Sequence, residues 1–249
     1  MEELRIDPTI AYDVVELPSQ GIYYSNKKKS VKVSYLNATD EDILASPSFL
    51  NSNTVIEELL RRKILDRDLP IEEMVEEDRQ AILIFLRNTA FGTIYNLTLT
   101  DPKTDTEFST EIDMSILKTK DFNLTENGDG EYSYFMEKSK VDVTFKFLTR
   151  KQEKEIELIK ESWNGIGAPP IVSKRVEMMI KSVQGNKDLM NIRNFILRLP
   201  IKDSQDFRKF VNDNKPGIDL TQKVITPSGE EIQVQVGFGV EFFRPFYGL

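Results

Sequence analysis

In 249 residues the chain contains no histidine and no cysteine. That removes Ser-His-Asp and Cys-His nucleophiles, an imidazole base near neutral pH, and zinc sites built from thiolate or imidazole. A disulfide framework is excluded too, which fits a reducing compartment. Long apolar runs are also missing. None approaches the roughly 18 residues that a membrane-spanning helix needs, so no stable membrane insertion is expected. The first residues, Met1-Glu2-Glu3-Leu4-Arg5, are acidic and carry no apolar core, so no signal peptide is expected there. Positive charge is scarce: the net charge is −8 and the pI is near 4.9. Nucleic-acid binding requires clustered Lys and Arg, and the one basic run, Lys27-Lys28-Lys29, reads as a solvated loop.

What is present is enough apolar residue, 39%, to bury a real core. Pro18 and Gly21 shape a turn over Leu17-Pro18-Ser19-Gln20-Gly21-Ile22-Tyr23-Tyr24, and Val31, Val33 and Tyr35 alternate as a strand. Thr39 or Asp40 is positioned to cap a short helix ending at Ala45. Val55, Ile56, Leu59, Leu60 and Ile64 form a helical stripe. A stronger helix is predicted over 76–91, with Ala81, Ile82, Phe85 and Leu86 inward and Gly92 at its end. The period then falls to 2, predicting a hairpin over about 94–113 turning at Asp101-Pro102-Lys103-Thr104-Asp105. Strands at 131–137 and 141–148 follow the turn Asn127-Gly128-Asp129-Gly130.

Thr149-Arg150-Lys151-Gln152 is a capping box that opens a helix to about Trp163. The loop with Gly165, Gly167, Pro169 and Pro170 reads as a hinge or a packed connector. Helices are predicted near 173–184, 187–199 and 203–213, the last capped by Asp203, before a hairpin over about 222–238 turning at Pro227-Ser228-Gly229. The expected fold is therefore α+β, in two similar halves of helices followed by a hairpin, 1–148 and 149–249. The alternative is that the two hairpins are unrelated.

Chemistry is hard to find. Glu72, Glu73, Glu76, Glu77 and Asp78 form an acidic run, but acids at a helix start follow the macrodipole, and the run reads as solvated. Asp40-Glu41-Asp42 reads the same way. Asp101, Asp105 and Asp113 lack EF-hand spacing, and neither a phosphate loop nor a dinucleotide fingerprint occurs. Ser19 lies outside any G-x-S-x-G elbow. An enzyme would need carboxylates converging in a pocket. No catalytic residue, cofactor or metal is expected, and a chelator should leave melting unchanged.

The features suited to contact with other proteins are two. Leu17, Pro18, Ser19, Tyr23 and Tyr24 lie on the stiffened turn, and Phe242, Phe243, Pro245 and Phe246 crowd the C-terminal tail beside Phe238 and Tyr247. Each segment either docks on its own core or anchors a partner.

These residues resemble the T4-type phage baseplate hub and hub-assembly proteins. The resemblance is carried by Leu17-Pro18-Ser19-Gln20-Gly21-Ile22-Tyr23-Tyr24, Thr39 to Leu44, Ile56 to Leu60, Asp78 to Leu83, Arg87, Ala90-Phe91-Gly92-Thr93-Ile94-Tyr95, and Gly239 to Pro245. It is weakest over about 114–170. Similar sequences carry a Cys-Pro-x-Cys-Gly knuckle, as in zinc ribbons, at each hairpin turn. Here the knuckles read Asp101-Pro102-Lys103-Thr104-Asp105 and Thr226-Pro227-Ser228-Gly229: both prolines stay and every thiol is gone. The resemblance implies degenerate ribbon-like hairpins without metal, and other hub proteins as partners in the host cytoplasm during assembly. It implies a non-enzymatic hub-assembly factor, with an incorporated hub subunit as the alternative; partner identity, stoichiometry and oligomeric state stay open.

Overall fold

The computed structural model describes residues 10–45, 54–238 and 240–243, so Pro245, Phe246 and Tyr247 lie outside the described residues. The architecture is α+β. Strand β1 (Tyr12–Glu16) pairs antiparallel with β2 (Ser30–Ser34), and the inward side chains Val15, Val31 and Val33 are buried. Helices α1 (Ala38–Ala45), α2 (Thr54–Lys63) and α3 (Glu76–Phe91) follow. The cap of α1 is Asn37 rather than Thr39 or Asp40: its Oδ1 accepts from the N–H of Thr39 at 3.0 Å, and Asp40 reaches back to the Asn37 N–H at 2.9 Å. Asp40, read from sequence as solvated, is buried and ion-paired with Lys63.

α3 has the expected bounds and ends at Gly92, whose positive φ stops it. Then come β3 (Ile94–Asp101) and β4 (Thr106–Asp113), paired in register from Ile94↔Asp113 to Asp101↔Thr106. Further on are β5 (Tyr132–Met136), β6 (Val141–Phe145), α4 (Arg150–Glu161) with the expected Thr149/Gln152 capping box, and α5 (Ile171–Met179). The helix expected over 173–184 stops at Met179. Ile180–Val183 forms strand β7, pairing with β6. Val176, Met179, Ile180 and Val183 are apolar at helical spacing, so periodicity alone favoured a helix; sheet pairing decides otherwise. α6 (Leu189–Leu197), α7 (Ile201–Asn214), β8 (Thr221–Ile225) and β9 (Glu231–Gln235) complete the order, before a 3-10 turn over Val240–Phe243.

Two compact units result, and they do not divide at 148/149. One holds residues 1–120 with 217–249; the other is Asp121–Pro216. β7 pairs with β6 across the expected border, so strands from both sides of it share one sheet. The chain leaves the first unit and returns to it along paired segments: Lys120 N–H donates to Gly217 O, and Asp219 N–H to Lys118 O, both at 2.8 Å. Both hairpins, expected one per half, therefore belong to the first unit.

The first unit's core joins Leu17, Val31, Val33, Leu59, Leu60, Met74, Ile82, Leu83, Leu86, Leu220, Val236, Phe242 and Phe243. In the second, the β5-β6-β7 sheet supplies Tyr132 and Phe145, and Phe207 of α7 packs edge-on against Phe145 at 5.4 Å.

Candidate functional site

In the first unit, the Leu-Pro-Ser-x-Gly turn folds as successive tight turns: Gln20 N–H to Leu17 O, Ile22 N–H to Ser19 O, Tyr24 N–H to Gly21 O. Gly21 is required twice over. Its φ is +75°, and a Cβ would fall 2.6 Å from the Lys27 carbonyl. The turn is fastened to α3 by Asp78. One carboxylate oxygen accepts the Ser19 N–H at 2.9 Å; the other accepts the Ser19 and Tyr24 hydroxyls, each at 2.6 Å. Tyr24 Oη in turn accepts the Val75 N–H, one of the orphan donors at the start of α3.

Asp78 is 0% exposed, so the reading of the whole acidic run as solvated fails at this residue, while Glu72, Glu73 and Glu76 are exposed. Its spacing from Ile82 and Leu86 puts it on the inward stripe, a signal the sequence carried. Burial raises its carboxyl above the usual range, against hydrogen bonds from Ser19 and Tyr24 that act downward. Tyr24 is raised by burial and then by the Asp78 charge.

The two thiol-free knuckles meet. Ser228 donates its N–H to one oxygen of Asp101 and its hydroxyl to the other, both at 3.0 Å, and Lys103 N–H adds 2.9 Å. Thr226 Oγ1 lies 3.0 Å from Ser228 Oγ and accepts the Glu230 N–H, closing the second knuckle. A buried carboxylate thus sits where two facing knuckles converge. Burial pushes the Asp101 carboxyl upward, but the donors from Lys103, Ser228 and Thr226 outweigh it and leave it below the usual range. Bonds between the two knuckles thus add to the local turn bonds within each.

The C-terminal segment is held by Arg87 of α3, one of the residues that carry the resemblance, whose guanidinium is fully buried. It donates to Gly92 O at 2.6 Å and Ile94 O at 2.7 Å, capping the helix end, and its flat face lies 5.0 Å from the Tyr95 ring and 5.6 Å from Phe242. Phe242 packs edge-on against Tyr95, Phe238 and Phe243. Burial lowers the Arg87 pKa.

The expected partner contacts therefore separate. Leu17, Pro18, Ser19, Tyr24, Phe242 and Phe243 are buried within the first unit, and Tyr23 is half-buried against its core. Burial withdraws the six as surface anchors of the folded chain; the Pro and Gly stiffening serves docking onto the chain's own helix. Pro245 and Phe246 lie outside the described residues. Among the described residues no three His, Cys, Asp or Glu side chains are grouped to hold a metal, and no helix is long and apolar enough to cross a membrane.

Over residues 12–244 the chain matches the family described as T4 bacteriophage base plate protein. Searches of curated proteins and of solved structures return no match.

Proposed function

The chain belongs to the T4 bacteriophage base plate protein family, and from that premise we propose that it is a non-enzymatic assembly factor for the baseplate hub. The observation that carries this reading is the family match along nearly the whole chain, including the buried turn, α3 and the C-terminal segment that the folded core requires. Support for an assembly factor over an incorporated subunit comes from the strands. Among the described residues they form sheets of two or three short strands, rather than the long strands of a tubular or trimeric β-scaffold. The carboxylates support a structural role: Asp78 and Asp101 spend their acceptor oxygens on backbone and hydroxyl donors of the fold. The partners are other hub proteins, met in the host cytoplasm.

Quantitative mass spectrometry tests this reading on infected-cell extracts, assembly intermediates and purified particles. The chain is expected in extracts and intermediates and far below stoichiometry in particles. Stoichiometric retention in purified particles would establish the incorporated subunit instead.

A further inference from the structure

Strand β1 is the open edge of its sheet. Leu17 N–H donates to Lys29 O at 2.7 Å, which continues the β1–β2 ladder and fixes its phase. In an antiparallel pair alternate residues turn both N–H and C=O toward the partner strand. Asp13 and Val15 therefore face β2, while Tyr12, Val14 and Glu16 turn theirs away from it. β2 carries the same kind of outward group at Lys32, and there the chain covers it. Leu65 N–H donates to Lys32 O at 2.9 Å, and Asp66 accepts the Lys32 N–H at 2.6 Å. On β1, no hydrogen bond among the described residues reaches the N–H or C=O of Tyr12, Val14 or Glu16. All three residues are exposed, Val14 at 56%. Neither a proline nor a bulge guards the strand, whose register runs unbroken from Tyr12↔Ser34 to Glu16↔Ser30.

A row of outward N–H and C=O groups is matched by another extended backbone. The side chains say whose. Tyr12, Val14 and Glu16 share the outer face of the sheet with Lys32, which stands opposite Val14. Lys32 Nζ lies 5.6 Å from the centre of the Tyr12 ring. Neither Lys32 nor Glu16 has an ion pair among the described residues. A two-fold axis at Val14 would set Val14 against Val14 and Glu16 of each copy opposite Tyr12 of the other, beside the Lys32 ammonium. On the inner face the same axis sets Asp13 opposite Val15, so no like charges stand directly across from each other. The strand is thus complementary to itself in backbone, apolar contact and charge.

We propose that β1 pairs antiparallel with β1 of a second copy about a two-fold axis at Val14, forming a four-stranded sheet in the order β2-β1-β1-β2. Val14 exchanges its N–H and C=O with Val14 of the second copy, and Tyr12 and Glu16 exchange theirs crosswise. Each copy contributes one five-residue strand, so the dimer is weak and forms as the concentration rises. The pairing stands independently of the reading as an assembly factor, because it assigns a surface rather than a role.

The full chain has no cysteine of its own, so one introduced thiol reports the register. Across such a hydrogen-bonded pair the Cα atoms stand about 5.5 Å apart, within reach of a disulfide. Under mild oxidation Val14→Cys should form a linked dimer at least about tenfold faster than Tyr12→Cys, because the two copies of position 12 lie roughly 14 Å apart along the strands. Sedimentation equilibrium of the wild type should show a concentration-dependent dimer. Val14→Pro removes one outward N–H and no bond to β2, and should weaken that dimer at least about tenfold. Glu16→Lys should weaken it about two- to fivefold, and Glu16→Lys together with Lys32→Glu should restore it. Circular dichroism melting checks that each variant folds; should Val14→Pro fail, the thiol and charge variants carry the test. A wild type that stays monomeric, with Val14→Cys oxidising no faster than Tyr12→Cys, overturns the pairing. A dimer that Glu16→Lys and Val14→Pro leave unchanged lies on another surface and overturns it too. A monomeric wild type whose complex with another baseplate protein is lost in Val14→Pro reassigns the edge to a strand of that protein, which overturns the second copy as its occupant.

Discussion

Two fastenings in the first unit each join a buried aspartate to a serine of a distant turn, but with different sets of donors. Asp78 takes the N–H and hydroxyl of Ser19, and Asp101 takes the N–H and hydroxyl of Ser228. The second unit repeats the device: Asp203 takes the N–H and hydroxyl of Ser139 at 2.7 and 2.6 Å, with the Lys138 N–H at 2.8 Å. Asp203 was expected as the cap of its helix; instead it sits in the first turn of α7 and clamps the β5–β6 turn. In a chain without thiols or imidazoles, a buried aspartate meeting a serine from a distant turn does the joining that a disulfide or metal does elsewhere. The difference lies in the donors. Around Asp78 one backbone N–H and two hydroxyls converge, all buried, whereas Asp101 and Asp203 each receive a backbone N–H on both oxygens, from turns half open to solvent. Hydroxyls can turn around and accept; N–H groups cannot.

That contrast is open to direct attack. Phe243→Ala sets the scale for a contact with no polar part. It should remove roughly 3–5 kcal/mol of stability, because a fully buried ring leaves a cavity. A loss within experimental error in urea denaturation would place Phe243 outside the core. Asp78→Ala should follow at about 2–3 kcal/mol, since it strands the buried Ser19 N–H and forces two hydroxyls to find new acceptors. Asp101→Asn should cost about 1–2 kcal/mol, because one of two N–H donors then faces an amide N–H. Asp78→Asn should cost less than about 1 kcal/mol, its amide oxygen serving the Ser19 N–H and its NH2 donating to the hydroxyls. Finding Asp78→Asn as damaging as Asp78→Ala would show that charge, not donor type, distinguishes the sites.

Much of this was legible in the sequence. Helix α3, both hairpins and the capping box of α4 follow from period, cap and turn residues acting locally. The three clasps were not legible, because each joins positions 59 to 127 residues apart, and a single sequence gives no sign that Asp101 will meet Ser228. The nested domain order escaped for the same reason: it depends on β6 choosing β7 as a neighbour. The stiffened turn was recognised correctly as a shaped segment, but stiffness says only that a segment docks, not on what. For Leu17–Tyr24 the answer is its own helix. At α6 the sequence predicted a helix, but its burial pattern, with Ile192 alone fully buried, was not readable from it.

The smallest effect expected is also the one whose sign separates the two kinds of clasp. Asp78 is held above the usual carboxylate range by burial, so the folded chain takes up its proton more readily than the unfolded chain does. Its charge opposes folding at neutral pH, and acidification toward the unfolded value of about 3.9 relieves that opposition. Asp101 and Asp203 lie below the usual range: burial acts upward on them, but the hydrogen bonds donated to them prevail. Their contribution is present above about pH 3.9 and is lost as the pH falls through their lower folded values. Urea midpoints for wild type, Asp78→Asn and Asp101→Asn between pH 7 and 3 isolate each term, because each variant lacks one titrating carboxyl. On acidification the wild type should gain on Asp78→Asn and lose its advantage over Asp101→Asn. Two differences that drift in the same direction would mean that the hydroxyl-bound and the N–H-bound carboxylates hold their donors in the same way, and the contrast between them would fall.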